Sequence, residues 1–239
     1  RRDFGEADRL LTLLTAQQGR LDAIAKGARK PNSTKTGHVE LYTRADMLIN
    51  KGRDLDIISQ AEMSAPYLPL REDLQRGAFA SYVAELVLRF TADSDSESPS
   101  LFALVDATFA RLCEPDADLR WAVRYFELHV LGLVGFKPEL QRCVVSSETI
   151  QPQDQYFSYE YGGAVSPDAV PNAGSLVPIS MTALKMLRHM QRSAYEEVQG
   201  INVTPTVHGE LERVMLGYIA HLLERRLQSV DFIRRVREF

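Results

Sequence analysis

The sequence has 239 residues, 45% of them hydrophobic and 25% charged, with 14 Gly and 11 Pro. That composition excludes a disordered chain, a collagen and a coiled coil, and leaves room for one compact unit with an appendage or for two domains. Its 28 Lys and Arg stand against 32 Asp and Glu, a net charge of -4 that excludes a wholesale polyanion binder, so any contact with nucleic acid must come from a local patch.

Two cysteines, Cys113 and Cys143, cannot build a disulfide framework, and a reducing cytoplasm is the expected compartment. The opening RRDFGEADR lacks both an initiator methionine and the apolar core of a signal peptide, so residue 1 reads as the start of a fragment. Up to Glu62 the pattern is strand-like in four runs: RLLTLLT from Arg9, RLDAIAKG from Arg20, VELYTRADMLIN from Val39 and LDIISQAEM from Leu55. Gly19, Gly52 and the polar run PNSTKTG supply the turns. Four antiparallel strands leave an open edge, which a fifth strand ahead of residue 1 would close into a small barrel.

Beyond Glu62 the period becomes helical. Phe79, Tyr82, Val83, Leu86, Val87 and Phe90 recur at spacings of three and four, predicting a helix over 73–90. The polar run from Thr91 to Ser100 reads as a loop, and further helices are expected over 101–113 and 118–135. From Lys137 to Ile179, five prolines and the glycines Gly162, Gly163 and Gly174 allow only hairpins and turns. Ser180 looks like the cap of a helix to Arg192, and a last helix is expected from Val207 to Leu227. No run is both long and apolar enough to span a bilayer. The fold class is α+β with segregated elements, divided into a strand region 1–62 and a helical region 63–239 with an irregular insert at 137–179.

Enzyme signatures are missing: the sequence holds no GxxxxGK, GxGxxG, HExxH or GxSxG, and its five His are scattered without metal-ligand spacing. Cys143 has no neighbouring His to act as a base, and the Asn32 and Asn202 glycosylation patterns are chance matches in a cytoplasmic chain. The informative feature is the stretch between Asp22 and Glu40, where Lys26, Arg29, Lys30 and Lys35 give a local charge of +4 with no acid among them. It is either a solvated hairpin loop or a grip on phosphates, and its place between two strands of a possible barrel favours the grip. Full neutralisation of these cations predicts a log-log salt slope of about -2.8, roughly fifty-fold in affinity between about 50 and 200 mM.

The blocks GEADRLLTLLTAQQGRLDAIAKGARKPNS, GRDLDIISQAE, YVAELV and LRWAVRYFELHVLGLVGFKPELQRC, in this order, resemble the RecO recombination-mediator family of bacteria. The resemblance runs to about Gly163. It implies an N-terminal OB-fold β-barrel, a helical domain with a small metal-finger insertion, and no catalysis. It further implies single-stranded DNA binding, strand annealing, and help in loading the recombinase onto DNA coated by single-strand-binding protein, with RecR as partner. Under it Lys26, Arg29, Lys30 and Lys35 are the DNA-binding residues, while Arg120 and Arg124 take the acidic, Phe-ended tail of single-strand-binding protein. Nucleoid association within the cytoplasm follows.

One departure concerns zinc. Many members carry two C-x-x-C pairs in the insert, but here Cys143 is followed by Ser146, and Ser166 and Ala169 occupy the second pair. One thiol and two hydroxyls do not make a tetrahedral zinc site, so no metal and no other cofactor is expected and the finger is degenerate. Two readings from other classes stand beside the leading one. The first is a helical interaction module whose barrel is scaffold without a nucleic-acid role; the second is a small hydrolase whose site carries no motif.

Overall fold

The computed structural model describes residues 1–91, 98–172, 175–224 and 227–237. Two compact units emerge: residues 1–115 with 232–239, and residues 116–231. The change of period at Glu62 is therefore a boundary between strands and helices, and the first helices belong to the same compact unit as the strands.

That first unit holds strands β1 (Arg2–Phe4), β2 (Asp8–Thr15), β3 (Gly19–Ala25), β4 (Arg44–Asn50) and β5 (Asp56–Ala65). A further short strand, β1, pairs with β2 within the described residues. Gly19 makes the β2–β3 turn with φ +65°, open to a residue without Cβ. The β4–β5 turn is tied by Asp56, whose Oδ1 accepts from the Gly52 N–H at 3.2 Å. The strand expected from Val39, β4, begins at Arg44, later than its run of apolar residues suggests. A short 3-10 turn occupies 36–39, and Tyr42 sits at φ +57°, which no strand tolerates.

The strand order is β1-β2-β3-β5-β4, with β3 parallel to β5 through Ala23–Asp56 and Ile24–Ile57 and the other pairs antiparallel. A closed barrel does not form among the described residues: β1 and β4 remain the two edges. The reason is local. The outer edge of β1 offers only three residues to a partner, and β4 carries register shifts at Arg44/Ala45 and Leu48/Ile49 that bend an edge away from further pairing. Leu11, Ala23, Ala25, Ala28, Val39 and Ile58 form the buried inner face.

Helices α1 (Pro69–Glu72), α2 (Leu74–Phe90) and α3 (Ser98–Cys113) complete the unit. Asp73 caps α2 by accepting from the Arg76 N–H at 2.8 Å, and Phe79, Tyr82, Val83, Leu86 and Val87 form its buried stripe. The strands are bolted to these helices by Arg71. Its Nη1 donates to Leu41 O (2.8 Å), Thr43 Oγ1 (2.9 Å) and Pro66 O (2.7 Å). Leu41 and Pro66 immediately precede Tyr42 and Tyr67, the residues at φ +57° and +43°, so one guanidinium pins both left-handed corners, at the entry to β4 and the exit from β5. Beside it, Asp106 accepts from Tyr67 Oη (2.6 Å) and Arg44 Nη1 (2.7 Å); burial and the Asp106 carboxylate push the Tyr67 hydroxyl pKa far up, against the opposing Arg44 charge.

The second unit starts with α4 (Leu119–Leu133), capped by Asp118. The insert is more regular than its prolines suggest: β6 (Gln155–Ser158), β7 (Gly163–Val165) and β8 (Val177–Ile179) make a three-stranded antiparallel sheet in the order β7-β6-β8. Pro178 fits because β8 is an edge strand. Phe157 is fully buried, 5.5 Å edge-on from Tyr218, so the insert packs on an aromatic. Of the expected glycines, Gly174 lies outside the described residues. Helices α5 (Met181–Arg192), α6 (Tyr195–Val198) and α7 (Pro205–Leu223) follow, and α8 (Gln228–Arg237) closes the chain. The last expected helix stops at Leu223, short of Leu227, because Glu224 adopts φ +49° as a left-handed cap, and α8 lies beyond it.

Replacing Arg71 by Ala releases three acceptors and frees both strained corners. The expected loss is about 2 kcal/mol or more of unfolding free energy by urea titration, since bonds to a charged donor are each worth about 1.5 to 3; an unchanged midpoint would refute the clamp.

Candidate nucleic-acid interface

The segment 26–35 leaves β3 and is strapped to the sheet at three points. The Gly27 N–H donates to Asp8 Oδ1 (2.7 Å), the Arg29 N–H to Ala7 O (2.8 Å), and Lys35 Nζ to Ile58 O (3.1 Å). These bonds use backbone and one ammonium, leaving the other cations on the outside. Lys26 and Lys30 are exposed, with no ion pair among the described residues. Arg29 is partly engaged, its Nε 3.5 Å from Asp3 Oδ2, with side chains 36% and 65% exposed. Lys35 is half-buried on a carbonyl, so its charge serves the fold first.

A second cluster borders the segment, and sequence reasoning missed it. Glu40, the acid that ends the basic stretch, receives two guanidiniums: Arg9 Nη1 at 2.8 Å on Oε1 and Arg1 Nη1 on Oε2. Burial pushes the Glu40 carboxyl up, but the bonds and charges of Arg9 and Arg1 outweigh it and hold the pKa below its ordinary value. The acid that should have diluted the positive stretch is over-compensated instead. No local signal could have shown this, because the partners lie 31 and 39 residues away.

On α4 the two arginines separate. Arg124 is buried, its Nη2 2.8 Å from Glu127 Oε1, with side-chain exposures of 6% and 0%. Arg120 is at the surface, its Nε and Nη2 forked on Asp118 at 2.8 and 2.7 Å. Burial and the Arg120 charge push the His208 imidazole below its ordinary pKa, and its ring lies 4.6 Å from that of Trp121.

In the insert, Cys143 is buried and its Sγ accepts from the N–H groups of Ser146 and Ser166, each at 3.4 Å. Burial pushes this thiol up, and the Ser146 and Ser166 donors more than offset it, bringing the pKa to about 6. The donor set does not fit zinc: one sulfur, two hydroxyls and the methyl of Ala169. Among the described residues no group of three or more His, Cys, Asp or Glu could hold a metal ion, and no helix is long and apolar enough to cross a membrane.

Two family models cover nearly the whole chain: Recombination protein O N terminal over residues 1–67 and Recombination protein O C terminal over residues 71–231. The chain belongs to the RecO family. It is 34% identical over 238 residues to the DNA repair protein RecO of Roseiflexus sp. (strain RS-1), covering 100% of this chain and 83% of that protein. The DNA repair protein RecO of Dehalococcoides mccartyi (strain ATCC BAA-2266 / KCTC 15142 / 195) is 33% identical over 226 residues, covering 95% and 88%. That of Pelotomaculum thermopropionicum (strain DSM 13744 / JCM 10971 / SI) is 34% identical over 234 residues, covering 98% and 90%. The chain is thus a member of a DNA repair and recombination family, and the RecO N-terminal match contains both the strapped segment and the Glu40 cluster.

Because the folded pKa of Glu40 is depressed, its contribution to stability is present above the ordinary value of 4.5 and is lost as pH falls through the depressed value. Glu40→Gln should therefore lower the urea midpoint at neutral pH and flatten the acid limb below pH 4.5 relative to wild type. Parallel pH profiles for the two proteins would remove the Arg1–Glu40–Arg9 cluster from the account.

Proposed function

We propose that this RecO-family chain is a non-enzymatic recombination mediator that binds single-stranded DNA through the strapped segment after β3. The carrying observation is that Lys26 and Lys30 are exposed and unpaired on a backbone fixed to the sheet at three points. A preordered loop loses little conformational entropy when phosphates arrive, and ammonium groups recognise them without reading sequence. The strand order β1-β2-β3-β5-β4 supports reading the sheet as an OB-type one left partly open, a scaffold that holds single strands in its loops. With Lys35 drawn into the fold, three cations remain for phosphate, and the expected log-log salt slope falls to about -2.1.

In this proposal the chain anneals strands and, with RecR, helps place the recombinase on DNA coated by single-strand-binding protein, in the nucleoid-associated cytoplasm. The tail of single-strand-binding protein would be met by Arg120, which has its guanidinium at the surface, while Arg124 positions α4 from inside.

Retardation of a labelled oligonucleotide across a salt series tests the DNA reading. Lys26→Ala with Lys30→Ala should weaken binding at low salt and reduce the slope by about 1.4, whereas Lys35→Ala should act chiefly on stability. Equal slopes in wild type and the double variant would remove the patch. Undiminished binding of an acidic Phe-ended peptide by a chain that binds no DNA at low salt would favour the interaction-module reading. In the same assay Arg120→Ala should weaken peptide binding in a folded protein, while Arg124→Ala should cost roughly 3 to 5 kcal/mol of stability by leaving Glu127 as a buried charge.

A further inference from the structure

The start of α4 and the first turn of α7 meet at one carboxylate. Asp118 caps α4 by accepting from the Arg120 N–H at 3.0 Å, and its Oδ2 has two nitrogen neighbours, Arg120 Nη2 at 2.7 Å and His208 Nε2 at 3.7 Å. The two differ in exposure: the Arg120 side chain is 46% exposed and that of His208 6%, so a partner's carboxylate can reach the first while the second stays inside. The imidazole lies against the Trp121 ring at 4.6 Å, with Nε2 toward Asp118 and Nδ1 buried without a hydrogen-bond partner among the described residues. That arrangement suits a neutral ring with its hydrogen on Nε2, because a further proton would place an N–H at Nδ1 with no acceptor for it.

From α4 the ring is faced by Asp118, Arg120 and Arg124, and from α7 itself by Glu212. Burial and the Arg120 charge hold its pKa below the ordinary value, with Arg124 adding to them and Asp118 and Glu212 opposing. The balance therefore depends on Arg120. A carboxylate arriving at that guanidinium makes the surroundings of His208 more negative in either of two ways. If Arg120 keeps its fork on Asp118, a second anion is added beside the first; if Arg120 turns outward to the newcomer, a cation is withdrawn and Asp118 is left to His208. Both favour the imidazolium, and the face of Trp121 supports that cation once it forms.

We infer that His208 is the proton-linked partner of Arg120: capture of a partner's carboxylate at Arg120 is completed by proton uptake on His208, which then balances Asp118 between α4 and α7. This rests on the reading of Arg120 as a carboxylate-binding residue and adds the regulation of that surface. Linkage is reciprocal, so the affinity for the carboxylate rises as pH falls, by up to about tenfold per pH unit for one proton taken up. An arginine paired only with an exposed acid would give no such dependence near neutral pH.

The test uses the full chain and an N-acetylated acidic peptide ending in Phe, whose own groups do not titrate between about pH 6 and 8. Calorimetry in two buffers of different ionisation enthalpy should show proton uptake on binding at neutral pH, and the affinity should increase toward the acid end of that range. His208→Gln should abolish the uptake and flatten the pH profile while the peptide still binds; His208→Phe, which keeps a ring on Trp121, gives the same readout if the glutamine variant does not fold. Without any peptide, Arg120→Ala should move the His208 ring titration upward, followed by NMR, because it removes a cation that opposes protonation. An unmoved or lowered His208 titration in Arg120→Ala would overturn the proposal. So would peptide binding without proton uptake, which leaves the carboxylate reading of Arg120 standing, whereas a peptide that binds at no pH would overturn both.

Discussion

The parallel pairing of β3 with β5 controls where the charges of the first unit can go. Two rungs, Ala23–Asp56 and Ile24–Ile57, fix the end of β3, and the alanines Ala23, Ala25 and Ala28 are fully buried, so the chain stays tight against the sheet as it leaves the strand. Small side chains matter here: they let the segment 26–35 bend back at once, so that the Gly27 and Arg29 amides reach the β1–β2 turn and Lys35 reaches Ile58. With these amides bonded inward, Lys26 and Lys30 face solvent and Arg29 reaches Asp3.

The same logic divides the arginines of both units into those spent on structure and those left outside. Arg71 holds two strained corners, Arg76 donates to the Leu112, Glu114 and Pro115 carbonyls at the end of α3, and Arg124 neutralises Glu127 inside the second unit. Each is a charge engaged by carbonyls or a carboxylate of the fold, and Arg124 is buried as well. Arg120 and the pair Lys26 and Lys30 differ in kind, because removing them uncovers no buried acceptor. That distinction between inward and outward cations is what makes the functional reading separable from stability by mutation.

Much of the fold was legible from periodicity. The stripe Phe79, Tyr82, Val83, Leu86, Val87 sits where three- and four-residue spacing puts it, and Ser180 caps α5 as its hydroxyl suggests. What was not legible depended on distance along the chain. The Glu40 cluster joins residues 31 and 39 apart, and Tyr42 and Tyr67 hold left-handed conformations that propensity assigns to glycine, because Arg71 compensates them from elsewhere. Prolines discourage strands in the insert, yet Pro178 occupies an edge where its missing N–H costs nothing. Of the candidate site, the sequence showed the basic stretch but could not tell Lys35, turned to Ile58, from the exposed Lys26 and Lys30, or buried Arg124 from exposed Arg120.

The central claim is that a strapped, preordered segment presents cations to single strands. Amide hydrogen exchange of the full chain with and without a single-stranded oligonucleotide tests it most directly. The account predicts that added protection concentrates on residues 26–35 and the adjoining β1–β2 turn, with the β4–β5 turn unaffected. Protection that leaves 26–35 unchanged while appearing elsewhere would contradict it.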